Sequence, residues 1–260
     1  MTSRALSLLI LVLVSPLALA KPFDHSHEAW SNLLEKHVVW LDGVASQVDY
    51  TGMAADHEQL KTYLQTLRDV TPRSYRKWSK DERLAFLINA YNAYTIDLVL
   101  TEYPELDSIK EIGGLFRSPW KLEVGKLLGQ PRTLDEIEHE MIREEGVFDE
   151  PRIHAAVVCA SIGCPALRTD AFVPDQLDLQ LEDSIVRFLS DRTRNRLEGD
   201  TLRVSKIFDW YGDDWEDLGA FFARHAIVLA DDAAGQRLIR TRDYKLRFLT
   251  YDWNLNDLPR

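Results

Sequence analysis

SKDERLAFLINAYNAYTIDLVLTEYP, residues 79–104, is the stretch whose reading decides the fold. Ser79 stands at a helix-cap position with Glu82 three residues on, the pair that completes a capping box, and Pro104 closes the run. Leu84, Ile88, Tyr91, Thr95 and Leu98 form one stripe at i, i+3/i+4 spacing, and Ala85, Asn89, Asn92, Ile96 and Val99 form a second. A helix apolar on nearly every side must be enclosed by the rest of the chain. At least one of Asn89 and Asn92 is then buried, and a buried amide without a partner costs about 1–3 kcal/mol. Such an amide either braces a neighbouring loop or touches a site.

Working outward, residues 27–43 place Trp30, Leu33, Leu34, His37 and Trp40 at helical spacing up to Gly43. His25, His27 and His37 make no convincing metal set and read as surface residues. Residues 46–53 form a short extended piece, and a second helix covers roughly 54–68. Residues 121–132 suggest a hairpin. In 133–146, Thr133 and Glu136 stand at capping-box positions of another helix. Further on come an amphipathic helix over roughly 174–190, a hairpin turning at Gly199-Asp200, a helix over roughly 213–225, and a closing segment from Lys245. The expected architecture is α+β: a single helix-rich domain with a small mixed or antiparallel sheet.

Residues 1–20 have an early positive charge at Arg4, an apolar run from Leu6 to Val14, and a small-residue ending at Ala20. That is a signal-peptide pattern, its apolar run too short to span a bilayer, and it predicts a periplasmic or secreted protein of residues 21–260. No later stretch reads as a membrane helix. The 45% of hydrophobic residues and seven tryptophans indicate a globular chain. A net charge of −11 disfavours nucleic acid and anionic lipid as partners.

RIHAAVVCASIGCPALR, residues 152–168, carries both cysteines. Ile153–Ala160 reads as a buried strand, with Cys159 inside it and His154 on the opposite face. Cys164 lies beyond Gly163 and before Pro165, at the expected start of a helix whose free N–H groups would favour a thiolate. Two histidines are candidate bases, His154 and His139, the latter with Asp135 and Glu136 at helical spacing to orient it. In this reading Cys159→Ser buries a hydroxyl and costs on the order of 1–3 kcal/mol, whereas Cys164→Ser changes stability little. An exported chain also permits a Cys159–Cys164 disulfide. A metal site of His154, Cys159 and Cys164 lacks a close cysteine pair, so neither a metal nor a cofactor is expected. No nucleophile elbow, P-loop, zinc-protease or dinucleotide motif is present.

The segments 84–100, 118–120 (SPW), 134–143 (LDEIEHEMIR), 153–168, 204–215 (VSKIFDWYGDDW) and 251–257 (YDWNLND) together resemble the domain of unknown function 547 family. The resemblance implies a widespread bacterial domain, often exported and also found in plant proteins behind a leucine-zipper region. It names no reaction. Its pattern falls on Asn89, Tyr91, Asn92, Glu138, His139, His154, Cys159, Ser161, Cys164 and Pro165, and departs at Leu87 and Ala155, where aromatic residues are common. Intracellular relatives share the two-cysteine stretch, which argues for kept thiols over an obligatory bridge.

The leading expectation is a cysteine-dependent hydrolase or acyl transferase acting on a peptide or amide-like small substrate. Cys164 attacks, His154 or His139 is the base, and Glu138 belongs to the catalytic group. Asn89, Asn92, Ser161, Arg168 and Trp120 are candidate substrate contacts, and Cys159 is structural. The rivals are a metal-binding domain and a non-enzymatic binding or scaffold domain. In the scaffold reading Trp120, Trp210, Trp215 and Trp253 fill the core and the cysteines pack or pair.

Overall fold

The 79–104 stretch folds as its pattern predicts. A helix runs over Lys80–Leu100, and its capping box is complete: Ser79 Oγ accepts from the Glu82 N–H, and Glu82 accepts from the Ser79 N–H. Both stripes are buried along most of its length, including Asn89 and Asn92. The computed structural model describes residues 22–114 and 117–258; residues 1–20, the expected signal peptide, lie outside the described residues.

In chain order the first elements are α1 (Glu28–His37), β1 (Val38–Leu41), β2 (Ala45–Val48), α2 (Tyr50–Ala55), α3 (His57–Arg68), α4 (Pro72–Tyr75) and the long helix, α5. There follow β3 (Glu123–Leu127), β4 (Gln130–Thr133), a π-helix over Glu136–Ile142 and a 3-10 turn over Pro151–Ala155. The remainder is α6 (Leu177–Ser190), β5 (Arg196–Glu198), β6 (Thr201–Val204), α7 (Ile207–Trp210), α8 (Leu218–Arg224), α9 (Ala226–Leu229), α10 (Ala233–Thr241) and β7 (Lys245–Phe248). The helix-rich α+β class holds. The strands are divided among small separate sheets: antiparallel β1-β2, antiparallel β3-β4, and a mixed β5-β6-β7 in which β6 and β7 run parallel.

Several expectations change. The first helix stops at His37 rather than Gly43, because β-branched Val38 and Val39 enter a hairpin whose turn places Asp42 and Gly43 in the left-handed region. His27 and His37 are buried, not at the surface. His37 Nε2 meets Asp56 Oδ2 at 2.8 Å, and His27 Nδ1 meets the Tyr63 hydroxyl at 2.7 Å. The helix expected over 213–225 shortens to α8, capped by Asp217. The unanticipated α10 starts at a cap from Asp232, which accepts from the Gly235 N–H at 2.7 Å.

Two hydrophobic clusters result. One surrounds α5, drawing on α1, α3 and the 153–172 segment; the other gathers residues of α6, β6, α8 and α10 with Trp215. Tyr251 packs against both. Among the described residues no helix is long and apolar enough to cross a membrane.

Burial pulls His27 down to about 3, with neighbouring His25 adding to the shift and Asp24 opposing it. The folded protein therefore holds this ring neutral while the unfolded chain takes up a proton below about 6.5. Its contribution to stability is complete above that pH and is lost as pH falls toward 3. His27→Asn, which tolerates the left-handed backbone at this position, should flatten the slope of unfolding free energy between pH 6 and 4. Denaturant melts across that range check it.

Candidate active site

The segment expected to be a strand is not one. Its backbone bonds go to a side chain and to the C-terminal segment instead of to a neighbouring strand. Asn92 Nδ2 donates to Ala156 O at 2.8 Å, and Asn92 Oδ1 accepts from the Val158 N–H at 2.9 Å. Asn89 brackets Phe172 in the same way, donating to its carbonyl at 2.7 Å and accepting from its N–H at 3.0 Å. The N–H groups of Ile162 and Gly163 donate to Asn254 O and Asp252 O, both at 2.8 Å. Gly163 is required for that approach, since a Cβ there would lie 2.9 Å from Asp252 O and 3.0 Å from Asp252 N. Ala160, between the cysteines, is held at φ 58, an uncommon conformation for a residue with a Cβ.

Two consequences correct the strand reading. His154 and Cys159 do not diverge; both face one cavity with Cys164. Burial of the cysteines is also reversed, with Cys164 buried and Cys159 half-buried. The two are joined by a disulfide, so neither is a free thiol in this structure and a metal set using both sulfurs is not formed. No helix follows Pro165. The groups that converge on Cys164 Sγ are instead the Cys159 N–H at 2.9 Å, the Tyr251 hydroxyl at 3.1 Å and, more distantly, the Ser161 hydroxyl at 3.8 Å. The buried Ser161 hydroxyl donates to Tyr251 at 3.2 Å.

The cavity has a volume of about 290 Å³ and lies between the two hydrophobic clusters. Trp120, Trp210 and Trp253 line it, so of the four tryptophans expected to fill the core only Trp215 is buried. The Thr133–Glu136 capping box forms as predicted, and by engaging Glu136 it leaves Asp135 as the carboxylate facing His139, at 3.6 Å. The turn it starts widens into the π-helix, a form that recurs at functional sites, and this brings Glu138 and His139 to the cavity wall.

Behind His154 stands a carboxylate that sequence reasoning did not single out. Asp214 Oδ2 lies 2.7 Å from His154 Nε2 and also accepts from Arg143 Nε at 2.7 Å, while Asp214 Oδ1 accepts from Arg143 Nη2 at 2.7 Å. Burial alone would push this carboxyl up, but the hydrogen bonds from Arg143 and His154, with their charges, hold it well below the usual carboxylate range. An ionised carboxylate only accepts, so His154 Nε2 carries a proton and donates it to Asp214. His139 has the opposite arrangement: Arg143 Nη1 donates to its Nδ1 at 2.6 Å and occupies that lone pair. The Tyr211 ring joins the two halves, stacked on His154 at 4.1 Å between centroids with the Arg143 guanidinium 4.8 Å from it.

The structure thus brings Cys164, Cys159, His154, His139, Glu138 and Trp120 to one cavity. Asn89 and Asn92 have their amides engaged by backbone, and Arg168 pairs with Asp183 at 2.5 Å and Asp170 at 3.1 Å, away from the cavity lining. Residues 75–189 match the family model described as protein of unknown function, DUF547. No curated protein and no solved structure matches. The matched stretch carries Tyr91, Glu138, His154 and both cysteines, whereas Asp214, Tyr211, Tyr251 and Trp253 come from chain beyond it. The aromatic and acidic density of FDWYGDDW (208–215) and YDW (251–253) was the available signal for these.

Either cysteine-to-serine change removes the same bridge, so both single variants should melt lower than the oxidised parent. Under reducing conditions, where the bridge no longer contributes, Cys164→Ser should cost on the order of 1–3 kcal/mol and Cys159→Ser less, following burial. Thermal melts with and without reductant separate the two contributions. Asn92→Ala orphans the Ala156 carbonyl and the Val158 N–H and should destabilise by about 1–3 kcal/mol for each group left without a partner, read by denaturant unfolding.

Proposed function

We propose that the cavity is the active site of a cysteine-dependent hydrolase or acyl transferase for a compact amide or peptide-like substrate. Cys164 is the nucleophile in the dithiol form, His154 the base, and Asp214 the group that orients the base. The observation that carries this reading is the convergence of donors on Cys164 Sγ in a cavity that His154, hydrogen-bonded to Asp214 through Nε2, also lines. Such donors stabilise a thiolate. After attack on the substrate carbonyl, His154 passes its proton to the departing amine.

The bridged form is the resting form. An external thiolate attacks the more open Cys159 sulfur and forms a mixed disulfide there, and the electron pair of the S–S bond leaves on Cys164. A second external thiolate then attacks the mixed disulfide, releasing the external disulfide and Cys159 as thiolate. The rival reading, a binding domain with a structural bridge, is favoured by the pairing of both cysteines.

Cys159→Ser leaves Cys164 without a bridge and separates the two. Its iodoacetamide rate should rise with pH at a midpoint clearly below the ordinary thiol value of ~8.5. His154→Asn added to this variant should raise that midpoint, and Asp214→Asn should do so less strongly. A midpoint at or above the ordinary value, insensitive to His154, would favour the structural bridge.

A further inference from the structure

Glu138 is 5% exposed and makes no ion pair among the described residues. The nearby cation, Arg143, is held by both oxygens of Asp214. The groups facing Glu138 are the hydroxyls of Tyr91 and Tyr211, which burial pushes up with the Glu138 charge adding to the effect. A buried carboxylate met by neutral hydroxyls bears a desolvation cost that an incoming cation would relieve.

The rest of the wall has the same preference. Among the described residues the lining contains Asp135 and Glu138 but no lysine or arginine. Three indoles complete it, with ring centroids 5.7 Å apart for Trp120–Trp253 and for Trp210–Trp253. Lys110 Nζ already sits 4.9 Å from the Trp253 ring. Indole faces attract ammonium groups, more strongly where water is excluded. An anionic ligand would meet two carboxylates and no lysine or arginine among the described lining residues. The volume, about 290 Å³, suits a ligand of amino-acid size rather than a folded partner.

We infer that the cavity selects a small substrate bearing a protonated amine, with Glu138 and the indoles of Trp120, Trp210 and Trp253 binding the ammonium group beside the Cys159–Cys164 sulfurs. This deepens the catalytic reading by naming the substrate class, an amine-bearing amide or acyl compound. Glu138 acts in recognition, as the buried end of the site, while His154 and Cys164 carry the chemistry.

Three probes of equal length test it: n-butylammonium, n-butanol and n-butyrate, titrated against the oxidised protein and followed by tryptophan fluorescence at physiological salt. Butylammonium should bind about tenfold or more tightly than butanol, and butyrate should not bind. Glu138→Gln should bring the amine to the level of the alcohol while the alcohol is unaffected, which separates recognition from attraction by the acidic surface. Should that variant fold poorly, Trp253→Leu, at a half-buried lining position, should weaken the amine more than the alcohol. Equal affinity for amine and alcohol, or an amine preference untouched by both variants, overturns the inference. Because the oxidised protein has no free thiol, this result stands apart from the alkylation of Cys164.

Discussion

Asn92 holds the loop on which the site depends. Residues 156–158 cross a helix buried on all sides, where an unpaired carbonyl or N–H would have no water to turn to. One side-chain amide meets both needs, accepting from Val158 and donating to Ala156. That pairing permits the chain to leave the 3-10 turn at Ala155, pass through the left-handed Ala160 and return at Gly163 without a partner strand. An apolar residue at Asn92 would keep the helix and lose the loop.

The electrostatics follow from how few charges the cavity region contains and how they are divided. Asp214 satisfies Arg143 through two oxygens and His154 through one, so a single carboxylate fixes a guanidinium and the tautomer of an imidazole. Arg143 in turn occupies the lone pair of His139. The two histidines that look equivalent by residue type therefore differ in their partners: His139 Nδ1 accepts from Arg143, whereas His154 Nε2 donates to Asp214. Glu138 is left facing the hydroxyls of Tyr91 and Tyr211, with no ion pair among the described residues.

The site is assembled from the middle of the chain and its C-terminal part. The family-matched stretch contributes the sulfurs, His154 and the π-helix, and the later segments close the cavity with Asp214, Tyr211, Tyr251 and Trp253. The C-terminal segment is bound in place by backbone bonds: Leu255 N donates to Asp107 O at 2.7 Å, and Asn256 N to Ala160 O at 3.1 Å. Through Tyr251 the same segment reaches Cys164, so the hydrogen bonding of the sulfur and the docking of the C-terminal strap are one structural event.

What the sequence determined by itself was whatever depends on neighbours along the chain. The capping boxes at Ser79 and Thr133, the hairpin within residues 121–132, the hairpin at Gly199 and the amphipathic helix ending at Ser190 were all legible, because caps, turns and helical stripes are local physics. The residue types of half the site were legible too, in the signature around His139, His154 and the cysteines. Tertiary structure decided the rest. An apolar run such as 153–160 is buried in a strand or in a braced loop alike, and only the distant amide of Asn92 distinguishes them. The burial order of Cys159 and Cys164, their bridge, and the partnership of His154 with Asp214, sixty residues away, rest on contacts that no spacing encodes.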